Sequence, residues 1–451
     1  MITTKNPYNN QEIKSYKYHS TKEVENILDK AEQTFSTWKT VSIKERTSLL
    51  ENLANKLEDN KEEYANLMTT EMGKPISQSI AEIDKCIWLC DFYIKNAEDF
   101  LADNIIKTDA KESFISYDPL GVVLAVMPWN YPFWQVMRFA VPSLTAGNVG
   151  LLKHASNVTG TALAIQKLFE DAGYPEGCFQ TLLVDHNQIE DIIESNILKA
   201  VTLTGSEAAG KNIAAIAGKN LKKTVLELGG NNACVVFDDA DIDKHITTMV
   251  KARMQNTGQS CIAAKRFIVS DKIYDKFLNR FKEEINNLKS GNPSEEDTYI
   301  GVMAREDLAE ELEQQVKDSV KMGAKIYYGG KKDKAYYPPT IITEVNKDMP
   351  VFKEETFGPV AAVIKAKNND HAINLAVNSR FGLGTMIFTE NTSKIYDIIN
   401  KIPDGALFIN DMVKSDPRLP FGGTKASGYG RELSKEGILE FVNIKTVYIN
   451  Q

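Results

Sequence analysis

Four positions carry groups that could act together on a carbonyl carbon. Cys261 closes the run NTGQSC, just beyond Gly258. A loop thiol with a depressed pKa and a general base in reach is a nucleophile; a packed loop cysteine is the competing reading. Glu227, in LELGGN, ends a strand-like run ahead of Gly229 and Gly230. Ligands of open α/β sheets bind at strand ends, and paired glycines let chain and ligand approach closely. Glu227 is thus a candidate base or an ordinary strand-end carboxylate. Asn130 stands between Pro128 and Pro132 in MPWNYPFW. Prolines fix a turn, and a carboxamide held there either donates to a developing oxyanion or caps the turn. In KEETFGPV, Glu354 and Glu355 precede a Phe-Gly-Pro turn. Glu355 could accept both hydroxyls of a ribose, or the pair could be a solvated surface.

A fifth motif points elsewhere at first. GSEAAGKN, from Gly205 to Asn212, follows a strand-like run and nearly matches the phosphate loop GxxxxGK followed by Ser or Thr. Its last residue is Asn212, so the hydroxyl that would hold magnesium is missing, which weakens a nucleoside triphosphatase. A helix start with free amides suits the phosphates of a dinucleotide equally well.

These groups need a scaffold to hold them. The chain has 451 residues, enough for two or three domains, with 43% hydrophobic and 25% charged residues as in a globular protein. A net charge of −8 provides no basic field for nucleic acid or an anionic membrane. The opening MITTKNPYNNQEIKSY lacks the layout of a signal peptide, and no apolar run approaches a membrane span, so a cytoplasmic protein is expected. The five cysteines form no CxxC and read as free thiols, with Cys86 and Cys90 at helical spacing in the core. The five histidines show no zinc-ligand spacing, and no metal is expected.

The first hundred residues read as helices, opened by the capping boxes STKE at Ser20 and SIKE at Ser42. Strand-like runs then begin near Val122, Val149, Phe179, Ala200 and Thr224, with helical stretches between them. That alternation predicts right-handed crossovers and a parallel sheet open to a dinucleotide. A second α/β series runs from ACVVF at Ala233 through RFIVS, AKIYYG, VAAVIKA and GTMIFT to ALFIN. KESFISY and the C-terminal KTVYIN alternate like exposed strands and need a partner edge, which another subunit could supply.

Taken in order, PWN, the lysine of LLKHAS, TGS, ELGGN, GQSC, EETFGPV and PFGGTKASGYGRE resemble the aldehyde dehydrogenase superfamily. Within it the chain is most similar to the short bacterial succinate-semialdehyde dehydrogenases. The resemblance spans nearly the whole chain and decides the open readings. It implies a cofactor domain at 1–101 and 120–229, a catalytic domain at 230–428, and a small β oligomerisation arm at 102–119 and 429–451. Homodimers or homotetramers are implied as well. The absence of GxGxxG fits this family, whose cofactor lies differently on the sheet.

By the same resemblance Cys261 attacks the aldehyde, Asn130 and the Cys261 amide form the oxyanion hole, and Glu227 activates the water that releases the acid. Trp129, Lys153, Ser156, Gly205, Ser206, Glu355 and Phe357 would hold the cofactor. Ser156 stands where NAD-selective relatives often carry glutamate, so NADP is expected to be used well, ahead of NAD. Trp134, Gln135, Arg138, Ser415 and Phe421 would line the substrate tunnel. Arg138 either clamps a substrate carboxylate, pointing to succinic semialdehyde, or pairs with a protein acid and supports the wall. Other short or apolar aldehydes are the alternative substrates. A coenzyme-A-acylating enzyme is disfavoured by Glu227, and a non-catalytic relative by the presence of Cys261, Glu227 and Asn130 together. Phe139 replaces the lysine of many relatives, which puts a proton relay through that position in doubt.

Overall fold

The computed structural model describes residues 1–450. Both capping boxes form: each serine accepts from the backbone of the glutamate three residues on, and that glutamate accepts from the serine N–H. They open helices Thr21–Trp38 and Ile43–Asp59, followed by Lys61–Met72 and the long helix Ile76–Leu101. Leu50, Leu53, Leu57, Ile83, Cys86, Leu89 and Cys90 point from these helices into one core. The segment ahead of them is a hairpin, Ile2–Lys5 against Glu12–Tyr16, and not helix. Ile2 and Thr4 are buried while Thr3 and Lys5 are exposed, a period of two hidden by the polarity of the stretch.

The predicted parallel sheet has six strands. In spatial order they are Gly428–Tyr429, Lys223–Glu227, Leu198–Thr204, Val122–Met127, Val149–His154 and Phe179–Thr181. All neighbours are parallel except the edge pair, where Gly428 lies opposite Glu227 in antiparallel register. From Val122–Met127 the chain first builds outward through Val149–His154, then returns to add Leu198–Thr204 on the other side. This reversal is a topological switch point, and open sheets bind ligands at the strand ends beside it. Trp129 and Asn130 follow one of those strand ends, and Gly205 and Ser206 the other.

The second series forms a seven-stranded sheet ordered Lys325–Tyr328, Thr340–Thr343, Val360–Ala366, Ala264–Ser270, Asn232–Val236, Thr385–Phe388 and Leu407–Ile409. Only the Lys325–Tyr328 edge is antiparallel. Thr340–Thr343 is the strand the sequence did not announce. The sheet is covered on two faces by separate apolar clusters, as a largely parallel sheet requires.

Glu112–Pro119 and Val442–Ile449 find their edge within the chain and need no other subunit for it: they pair antiparallel over eight positions, with Asn104–Ile105 beyond. The final stretch is divided among three places. Gly428–Tyr429 closes the six-stranded sheet, Ser434–Leu439 forms a short helix, and Val442–Ile449 joins the three-stranded arm. No helix among the described residues is long and apolar enough to cross a membrane.

Candidate active site

The Cys261 loop is made by an unusual turn. Helix Ile242–Met254 ends, and Asn256, Thr257 and Gly258 follow at φ 54°, 53° and 72°. Non-glycine residues held left-handed cost on the order of 1–3 kcal/mol each and persist only when their surroundings over-determine them. Here they do. Asn256 Nδ2 donates to the Asn130 carbonyl at 2.7 Å, and its backbone N–H donates to Gln78 Oε1 at 2.6 Å. Thr257 Oγ1 accepts from the Gly301 N–H at 3.1 Å. The buried Arg253 guanidinium donates to the carbonyls of Gly258 and Gly358, stitching this loop to the EETFGPV turn. A Cβ on Gly258 would sit 2.5 Å from Gly358 backbone atoms, so the turn requires glycine there.

Cys261 emerges half-buried from this turn. Burial pushes its thiol up to about 11, while the Lys265 and Arg138 charges pull the other way. Its backbone N–H has no protein acceptor among the described residues. Asn130 is buried at the end of the first central strand; its Nδ2 spends one N–H on the Gln259 carbonyl at 3.0 Å. Gln135 Nε2 donates to Asn130 Oδ1 at 3.1 Å, which fixes the amide with its NH2 toward the cysteine loop.

Glu227 is buried at the end of its strand, with neither carboxylate oxygen hydrogen-bonded. Burial first, then repulsion from Glu432, raises its pKa well above the usual carboxylate range; Arg138 and Arg431 oppose this. Its charged form is therefore disfavoured in this position, and contact with water favours the carboxylate that a base requires. Glu355 is held from two sides: Gly230 N–H and Lys265 Nζ each donate to its Oε1 at 3.0 Å. Lys265 is fully buried and also donates to the carbonyls of Ser260 and Cys261, tying the nucleophile loop to Glu355. Phe357 meets Trp129 edge to face at 5.7 Å.

Two cavities meet at Cys261. One, of about 300 Å³, is lined by Trp129, Asn130, Gly205, Ser206, Glu227, Glu355 and Phe357 as well as Cys261. The other, of about 190 Å³, is lined by Trp134, Gln135, Arg138, Ser415, Phe421 and Cys261. Apart from Lys153 and Ser156, the residues proposed for the cofactor line the first cavity and those proposed for the substrate the second, with Gln135 lining both. Lys153 and Ser156 line a third depression, with His154 and His186. Ser206 caps helix Glu207–Lys219 by accepting from the Ala209 N–H at 3.3 Å.

Arg138 has a protein partner. Its Nε lies 2.8 Å from Glu432 Oε2, both residues buried, in a charge contact without the alignment of a hydrogen bond. Its guanidinium also stacks 4.6 Å from the Phe421 ring. Glu432 supplies the counter-charge that burial of the guanidinium requires, while Arg138 Nη2 has no hydrogen-bond partner among the described residues and the side chain lines the substrate-side cavity. Two functional candidates escaped the sequence: Lys265, hidden in the strand-like AAKRFIVS, and Lys85, in mid-helix, whose ammonium reaches the substrate-side cavity. Neither spacing nor motif marked them. No cluster of three or more potential metal ligands occurs among the described residues.

Residues 1–447 match the aldehyde dehydrogenase family model. A probable NADP(+) succinate-semialdehyde dehydrogenase of Synechocystis sp. is 49% identical, each protein covered over 99% of its length. The NADP(+) succinate-semialdehyde dehydrogenase 1 of Mycobacterium tuberculosis is 46% identical over the same share of both chains. The crystal structure of succinic semialdehyde dehydrogenase from Streptococcus pyogenes in complex with NADP+ superposes with a TM-score of 0.97 at 36% identity, covering 100% of each chain.

Proposed function

The chain belongs to the aldehyde dehydrogenase family, and on that premise we propose that it oxidises succinic semialdehyde to succinate with NADP. The observation that carries the substrate is the composition of the smaller cavity at Cys261. It holds Lys85, Arg138 and Ser415 beside the Trp134 and Phe421 rings, and its one carboxylate, Glu82, is already engaged by Lys74. Glu82 also accepts from the N–H groups of Phe133 and Trp134, so its charge is answered within the protein. A short aldehyde with a distal carboxylate fits such a wall better than an uncharged one. Three relatives with succinate-semialdehyde dehydrogenase names support the same substrate.

The residues fit a nicotinamide dinucleotide. Glu355 Oε2 hangs over Gly229 so closely that a Cβ there would sit 2.3 Å from it, leaving a carboxylate at a side-chain-free floor where ribose hydroxyls can reach. Gly205 precedes a capped helix N-terminus and a Cβ on it would meet only Leu203, so phosphate can approach the amides. Lys153 has no carboxylate partner among the described residues and stands by Ser156, which suits a 2′-phosphate. When bound, the cofactor supplies the hydride acceptor.

In this reading Cys261 attacks the aldehyde carbon. The free Cys261 N–H and the remaining N–H of Asn130 receive the oxyanion, each such donor being worth roughly 3–4 kcal/mol. Glu227, as a carboxylate, takes a proton from the water that hydrolyses the Cys261 thioester. Gln135 and Lys265 hold the geometry. The six-stranded sheet with 1–101 and 120–229 serves the cofactor, 230–428 brings the nucleophile, and 102–119 with Val442–Ile449 is the arm. We take the protein as a cytoplasmic homodimer or homotetramer, supported by the exposed Ile444, Tyr448 and Ile449 on the arm's outer strand.

The test is a comparison of aldehydes. Wild-type enzyme should show a kcat/KM for succinic semialdehyde about 100-fold above that for butanal, the scale of one or two charge-assisted hydrogen bonds. Equal efficiencies would overturn the substrate. Cofactor choice has its own variant. Ser156→Glu places a carboxylate where a 2′-phosphate would lie, and like charges in contact cost several kcal/mol. The ratio of kcat/KM with NADP to that with NAD should drop about 100-fold. An unchanged ratio would place discrimination elsewhere.

A further inference from the structure

A relay of amides beside Cys261 ends on an acceptor that no protein group answers. Glu82, paired with Lys74, accepts from the N–H groups of Phe133 and Trp134 and pins the first turn of helix Trp134–Thr145. Gln135 lies in that turn, 2% exposed, and its backbone N–H donates to the Tyr131 carbonyl at 3.1 Å. The polarity of its side chain is set by the groups beyond it. Asn130 Nδ2 donates to the Gln259 carbonyl at 3.0 Å, so Asn130 turns its Oδ1 the other way. That Oδ1 accepts from Gln135 Nε2 at 3.1 Å, so Gln135 in turn presents Oε1 outward. This Oε1 is buried and has no hydrogen-bond partner among the described residues. Gln135 lines both cavities that meet at Cys261, and it shares the larger with Glu227, whose two carboxylate oxygens are also unpartnered.

A buried acceptor without a donor is costly, so the donor that answers this one comes from the reaction. Succinic semialdehyde offers none, because its aldehyde oxygen and its carboxylate only accept. The Cys261 proton is gone before the sulfur attacks. Once the acyl group is on the sulfur, the donor that remains is water, with its two O–H groups. We infer that Gln135 Oε1 holds the water that hydrolyses the Cys261 thioester, sharing it with Glu227. Each takes one O–H, which aims a lone pair of the water at the acyl carbon beside Asn130. The water oxygen bonds to that carbon, and the C–S bond breaks with its electron pair left on Cys261 Sγ. One water proton passes to Glu227, and the other stays on the new carboxyl group.

Gln135 exchanges no proton in this step and only fixes the direction of attack. Its side-chain type fits the task. Gln135→Glu would lose the bond to Asn130 and set a like charge by Glu227, whereas the amide offers an acceptor without charge. The role rests on the reading of the chain as an enzyme that releases its acyl group by hydrolysis.

The experiment is a single turnover, with enzyme in excess over succinic semialdehyde and NADP saturating, in wild type and Gln135→Met. The substitution keeps the length of the side chain and removes its amide. NADPH should appear within about threefold of the wild-type rate, since the Gln259 carbonyl still holds Asn130. That signal also shows the variant to be folded and able to form the thioester. The succinyl thioester on Cys261, followed by mass spectrometry of quenched samples, should then decay about 10- to 100-fold more slowly, the scale of a misplaced reactant. Hydroxylamine, added once NADPH formation has ended, is a nucleophile that needs no held water. It should clear the thioester from variant and wild type at rates within about threefold of each other. Gln135→Asn, whose shorter amide falls short of the water, should show the same split. NADPH formation slowed as much as thioester decay would mean that Gln135 only orients Asn130, and would overturn the inference. So would an unchanged decay with NADP bound more than about tenfold more weakly, which assigns the acceptor to the cofactor's carboxamide. A wild-type thioester that does not decay to succinate would instead overturn the reading of the enzyme.

Discussion

Cys261→Ala should lower turnover of any aldehyde by at least about 10⁴-fold, because no other group in the site can make the covalent bond on which the reaction depends. The four other cysteines are buried, and none lines the two cavities at the site. NADP binding, followed by fluorescence titration, should move by less than about threefold, since the thiol adds little to the contacts at Glu355, Gly205 and Lys153. Residual oxidation within a hundredfold of wild type would remove Cys261 from the mechanism. The thiol's environment adds a second readout. Burial holds it at about 11 in the resting site, so across pH 7 to 9 it is mostly protonated. The thiolate fraction then grows about tenfold per pH unit. Alkylation of Cys261 by iodoacetamide, in protein without cofactor, should accelerate on that slope; a rate flat with pH would mean that the thiolate is already formed.

Glu227→Gln should give a rapid burst of NADPH, near one per site, and then a steady rate about 10²- to 10⁴-fold below wild type, the span usual for loss of a general base. The amide fills the same niche but cannot take a proton from water. The burst should leave a succinyl thioester on Cys261 that mass spectrometry of the quenched protein detects. A slowed burst instead would assign Glu227 to activating the thiol. Its surroundings favour the later role. With no hydrogen-bond partner among the described residues and with Glu432 close, its charged form is disfavoured, which limits the upward push it exerts on the thiol. A fixed anion at that place would push the thiol higher still.

The parts of this site that were legible in the sequence lie where backbone and chemistry coincide. Cys261, Glu227, Asn130 and Glu355 all follow strand or helix ends and sit among glycines and prolines, residues that matter through the turns they permit. Cys86 and Cys90 were legible as core from helical spacing alone, and both are fully buried. Lys85 and Lys265 were not, because a lysine in a helix or strand is ordinarily a solvated face. What makes each special is a partner far along the chain, Ser415 for one and Glu355 for the other. The pairing of Arg138 with Glu432 was invisible for the same reason, since the acid arrives only with the returning C-terminal segment. In the fold, Thr340–Thr343 and the opening hairpin were missed because short strands of four or five residues carry too little periodicity to stand out.

That returning segment fixes when during synthesis an active molecule can exist. Ser427 donates to the Gly229 carbonyl at 2.7 Å and its own carbonyl accepts from Leu228 N–H at 3.0 Å, so the strand that presents Glu227 is flanked by a piece of chain made about two hundred residues later. Phe421 and Glu432, bridged to each other, arrive together with it. A nascent chain still attached to the ribosome therefore already carries Cys261, Asn130 and Glu227 but lacks the edge that seats the base and the acid that answers Arg138. Its reactive thiol is made long before the machinery that directs it. Premature termination between Cys261 and Ser427 would yield a polypeptide with Asn130, Glu227 and Cys261 and no catalysis, and maturation waits for the end of translation.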